Sequence, residues 1–72
     1  MEPMVEVFKT NVQHHELAEQ LVSILRARFS FYKINFDLHD CDKILRVEGE
    51  QICVETIIKI LSNHGLQCEV LT

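Results

Sequence analysis

Seven residues of this chain could do chemistry, four histidines and three cysteines, and most of them fall in short polar runs. His14 and His15 are adjacent, His39-Asp40-Cys41-Asp42 forms one run, and His64 stands just before Gly65. Imidazole and thiolate together suit Zn(II), Cu(II) or Ni(II). His14, His15, His39, Cys41 and His64 are therefore the candidate metal ligands. Neighbouring residues on a helix point about 100° apart, so His14 and His15 share an ion only where the backbone is still a loop. Each run also has a local structural reason to exist. Asp40 and Asp42 suit turn chemistry, and His64 in the last turn of a helix gains from the helix dipole.

Catalysis is harder to build from the same residues. Cys41 with His39 and Asp40 brings to mind a thiolate nucleophile, but residues two apart on a turn rarely reach base-to-thiol geometry. A domain this small also offers little pocket to exclude water. The stretch Asp37 to Asp42 has a superficial likeness to a calcium loop, yet it lacks oxygen ligands at the third and fifth places and the following Gly. The chain contains no Gly-rich phosphate loop and no nucleophile motif. No enzyme is expected.

The elements that must position these residues follow from hydrophobic spacing. Val5 and Val7 alternate with Glu6, which predicts a first strand over residues 4–10 that ends at Asn11. After Val12-Gln13-His14-His15, Leu17, Leu21, Ile24, Leu25 and Arg28 recur at helical spacing, with Arg26 and Arg28 in the last turn. Residues 31–38 read as a second strand, with Ile34, Phe36 and Leu38 alternating against Lys33, Asn35 and Asp37. A polar turn leads to a third strand around Leu45 and Val47 that Gly49 breaks, completing a hairpin. A second helix is predicted over 51–63, with Val54, Ile57, Ile58 and Leu61 on one face and Gly65 as its left-handed cap. Leu66, Cys68 and Val70 then alternate in a last strand.

The order is β-α-β-β-α-β, an α+β ferredoxin-like sandwich with two helices on one face of a four-stranded antiparallel sheet. Successive elements reverse direction. The first strand-to-helix junction, the hairpin turn and the last helix-to-strand junction therefore share one edge, which gathers all four histidines and Cys41.

Composition narrows the setting. The 72 residues make one domain, 1–72, and 47% hydrophobic with 25% charged residues, 2 Gly and 1 Pro is ordinary globular composition. Seven Lys and Arg scattered among eleven Asp and Glu, a net charge of −4, give no basic footprint for nucleic acid. No apolar run approaches a membrane span, and the opening Met1-Glu2-Pro3-Met4 lacks the pattern of a signal peptide. Three cysteines at wide spacing, with no Cys-x-x-Cys, read as free thiols in a reducing cytoplasm, two of them filling the core.

Over nearly its whole length the chain resembles the heavy-metal-associated domain of copper chaperones and metal-transporting ATPases. Leu21 and Leu25 match that family's helix core, and Ser30-Phe31 stands for its Gly-Val pair. Ile34, Phe36 and Leu38 match its second strand, and Asp42 to Gly49 resembles its third. Gly65-Leu66 stands for its Gly-Tyr, with Cys68 and Val70 in the last strand. The metal motif departs. Val12 falls at the position of the family's Met, His14 at its first Cys and Leu17 at its second. Leu17 cannot ligate, so the resemblance implies the scaffold without the thiolate pair that holds Cu(I). Leu66 also occupies the place of the Lys or Tyr that often supports the family's site, and His64 lies two residues earlier.

The expected function is thus a small binding module acting through protein or ligand contacts. The open face of the sheet is expected to carry Phe8, Ile44 and Leu71 among polar neighbours and to support a homodimer, or contact another protein. The alternative is a rebuilt Zn, Cu or Ni site at the histidine edge.

Overall fold

The computed structural model describes residues 3–39 and 41–71. The chain runs β1 (Met4–Thr10), α1 (His15–Arg28), β2 (Lys33–Asp37), β3 (Ile44–Gly49), α2 (Val54–Asn63) and β4 (Cys68–Val70). The four strands form one sheet in the order β2-β3-β1-β4, every neighbouring pair antiparallel. This is the ferredoxin-like arrangement expected from the element order.

Register fixes which side chains face the helices. Phe8 lies opposite Leu45 and Val70, Leu45 lies opposite Phe36, and Val47 lies opposite Ile34. Side chains alternate along a strand, so these residues share one face. They pack there with Ala18, Leu21 and Leu25 of α1 and Ile57 and Leu61 of α2 into one core. Those helix positions are three and four residues apart and so form a single stripe on each helix.

Phe8 is therefore not on the open face: its side chain is 0% exposed, at the centre of the core. The expected placement fails because both parities of β1 carry apolar residues. The larger ring displaces Val5 and Val7, since burying Phe removes more apolar surface from water. Ile44 and Leu71 do lie on the open face, Ile44 opposite Asp37 and Leu71 donating its backbone N–H to the Val7 carbonyl at 2.8 Å. Cys53 is exposed, so Cys68 alone of the three cysteines packs against the core, not two of them.

Several boundaries are tighter than the alternation implied. β2 starts at Lys33, and Phe31 stands outside it, 94% exposed. α2 starts at Val54 rather than residue 51, because Tyr32 reaches across to hold the preceding turn. Its hydroxyl accepts the Cys53 N–H at 3.0 Å and donates to the Gln51 carbonyl. The same ring stacks on Phe29 with centroids 4.7 Å apart. It also closes over Gly49, where a Cβ would come within 2.6 Å of it. At the far end of α2, Gly65 adopts φ +77°. The Leu66 N–H reaches the Leu61 carbonyl at 3.0 Å and the Gly65 N–H reaches Ser62 at 2.9 Å, the paired bonds of a Schellman cap.

Candidate functional site

Two surfaces stand out: the loop edge with the histidines, and the uncovered face of the sheet. The antiparallel register brings the end of β1, the β2–β3 loop and the start of β4 to one edge. Three sets of contacts tie them together. The buried Thr10 hydroxyl donates to the Lys43 carbonyl at 2.5 Å and accepts the Val12 N–H at 3.3 Å, while the Thr10 N–H reaches the Asp42 carbonyl at 3.1 Å. Lys43, at φ +49°, turns its ammonium back to the Leu38 carbonyl at 3.1 Å. The Asn11 side-chain oxygen accepts the Gln67 N–H at 2.9 Å, joining the first junction to the last.

On this frame His39 is held by its own backbone N–H, which donates to the Asp37 carboxylate at 3.1 Å. His15 opens α1, after the extended residue His14. The two exposed rings, His15 and His39, come together with centroids 6.5 Å apart in an edge-on arrangement. His64 does not join them. Its Nδ1 lies 2.8 Å from the Ile60 carbonyl, and its side chain borders a shallow depression with Glu16, Glu19, Gln20 and Ile24. Cys41 is exposed on the hairpin loop, and Asp40 lies outside the described residues. Among the described residues, no group of three or more His, Cys, Asp or Glu side chains is placed to hold a metal ion.

The open face follows from register alone. Across the sheet it presents Lys33, Glu48 and Val5 in one row, then Asn35, Arg46 and Val7, then Asp37, Ile44, Lys9 and Glu69. Leu71 extends the Val7 row past β4. Val5 is 42% exposed and Leu71 40%, while Val7 and Ile44 are half-buried by their neighbours. The strand positions of this face carry three cations and three anions; Lys33 approaches Glu48, and Lys9 approaches Asp42 of the hairpin loop, each at 3.9 Å. Sequence reasoning missed Val5 and Val7 here. The signal that finds them is parity with Leu45 and Val47, which places Phe8 inward.

A third feature lies at the opposite edge of the sheet. An open depression of ≈ 800 Å³ runs between Arg28, Phe31, Tyr32, Lys33 and Glu50. Burial raises the Tyr32 hydroxyl above its ordinary pKa. Burial also pushes the Cys68 thiol up to about 11, with the nearby Glu69 charge adding to it. That thiol is a packing group.

No helix among the described residues is long and apolar enough to cross a membrane. Comparison with models of protein families, with curated proteins and with solved structures gives no match.

Proposed function

We propose that this chain is a non-catalytic binding module, and that its working surface is the open face of the sheet, docked on a second copy of itself. One observation carries the reading. The chain has a net charge of −4, yet the strand positions of the face bearing Val5, Val7, Ile44 and Leu71 are balanced, with Lys9, Lys33 and Arg46 against Asp37, Glu48 and Glu69, and Asp42 adds a single anion beside Lys9 at the rim. The excess of acidic charge belongs to the other positions of the chain. Copies of an acidic protein repel one another in general, and least where cations and anions alternate. An isologous dimer places one patch against itself, so a balanced patch with an apolar stripe is the surface that tolerates self-docking.

Size sets the strength. Four strands at about 4.8 Å spacing and roughly five residues at about 3.3 Å rise give a flat footprint of about 300 Å². Stable complexes bury about 800 Å² per partner, so the dimer is weak and reversible. The scaffold is read as one that the heavy-metal-associated domain also uses, here without its thiolate pair. A reducing cytoplasm is the proposed setting, supported by three cysteines without a disulfide.

Sedimentation velocity over a concentration series tests the reading. The native chain should move from monomer toward dimer as it is concentrated, and Leu71→Glu should stay monomeric. A monomer at every concentration, or a dimer unaffected by Leu71→Glu, would overturn it.

A further inference from the structure

We infer that His15 and His39 form a two-imidazole site for a borderline divalent cation, with Cu(II) bound most tightly. The site lies at the end of the sheet rather than on its open face, so it stands or falls separately from self-association.

A metal–nitrogen bond of about 2.0–2.1 Å places the metal about 3.2 Å from the centre of the imidazole that holds it. Two ligating rings then lie about 5.2 Å apart at a tetrahedral angle and about 6.4 Å apart when opposite each other. The observed separation is 6.5 Å. Both side chains are exposed and so are free to rotate toward a shared ion. Square-planar Cu(II) or Ni(II) accepts either an adjacent or an opposite pair of nitrogens.

The frame is built independently of any ion. His15 is fixed by the first turn of α1. His39 sits on a loop closed by the Asp37 carboxylate, the Lys43 ammonium and the Thr10 hydroxyl. The backbone that carries both ligands is thus held in place before a metal arrives, which limits the ordering that binding must supply to the two side chains. Both rings are also exposed, so the cation keeps waters in its remaining positions and is not stripped of hydration. His14 precedes the helix, and its side chain makes no capping bond. His64 faces a different depression, bounded by α1. Neither belongs to the pair.

Imidazole ligation follows the general order of divalent ions, in which Cu(II) exceeds both Ni(II) and Zn(II). The test is calorimetric titration of the full chain with each chloride salt at neutral pH, after the exposed thiols of Cys41 and Cys53 are alkylated with iodoacetamide so that they neither reduce nor ligate Cu(II), alongside His15→Ala, His39→Ala and His64→Ala treated in the same way. Both paired residues are exposed, so their alanine variants should keep the native melting temperature. The expected result is one equivalent of Cu(II) bound, weakened tenfold or more by His15→Ala and equally by His39→Ala, and unchanged in His64→Ala. In proton–nitrogen spectra with diamagnetic Zn(II), the ring nitrogens of His15 and His39 should shift together. Native affinity in His39→Ala, no binding by the native chain, or loss in His64→Ala would each overturn the site.

Discussion

Removing the Thr10 hydroxyl should loosen the whole histidine edge, because that one group joins β1, the hairpin loop and the entry to α1. Thr10→Val keeps the shape of the side chain and deletes its oxygen. The hydroxyl donates to Lys43 at 2.5 Å and accepts from Val12 at 3.3 Å, in a residue that is buried. A hydrogen bond contributes about 1 kcal/mol net, and stranding a buried partner costs about 1–3 kcal/mol more. Since the Lys43 carbonyl keeps some access to water, the expected loss is about 2–3 kcal/mol. In a chain of this size each kcal/mol moves the melting temperature by about 4–8 °C, so the fall should be about 8–24 °C. Urea unfolding should give the loss at an unchanged slope, and Thr10→Ser should recover most of it. Exchange of the Val12 amide with deuterium should accelerate more than that of Leu25 in α1. A loss below about 0.5 kcal/mol, the range of ordinary surface substitutions, would refute the idea that this hydroxyl holds the edge together.

Other substitutions separate the remaining contributions. Gly49→Ala should destabilise by about 1–3 kcal/mol in thermal unfolding, because its Cβ would meet the Tyr32 ring that Phe29 and two hydrogen bonds hold in place. Gly65→Ala meets no neighbouring atom, so only the left-handed backbone is penalised and the loss should be about 1 kcal/mol by urea titration. The Cys68 thiol is raised in the folded state, so its contribution to stability is complete below pH 9 and is lost as pH rises toward about 11. Melting temperatures should fall across that window and fall less in Cys68→Val. At pH 8, iodoacetamide should modify the exposed Cys41 and Cys53 well before Cys68.

The element order was legible because its signals are redundant. Leu21 and Leu25 at helical spacing, Leu45 and Val47 at alternate positions, and Gly65 after Asn63 each point to one local structure, and the antiparallel order follows. Parity in β1 was not legible, because Val5, Val7 and Phe8 are all apolar and only cross-strand pairing with Leu45 decides among them. Tyr32 was equally hidden. Its hydrogen bonds span about twenty positions to residues of the β3–α2 turn, and no local pattern announces them. The common edge of the histidines was foreseeable from chain reversal. The separation of His64 from His15 and His39 depends on where each side chain points after the Gly65 cap, which spacing does not encode.

The central claim, that the open face of the sheet is where this protein meets its partner, is tested most directly by amide spectra of the labelled chain at increasing concentration. On this account the amides of Val5, Val7, Arg46 and Leu71 shift progressively, while those on the outer surfaces of α1 and α2 hold their positions. In Leu71→Glu the shifts vanish. Shifts centred on the helices, or on Phe31 at the opposite edge, would contradict the claim and move the interface away from the sheet.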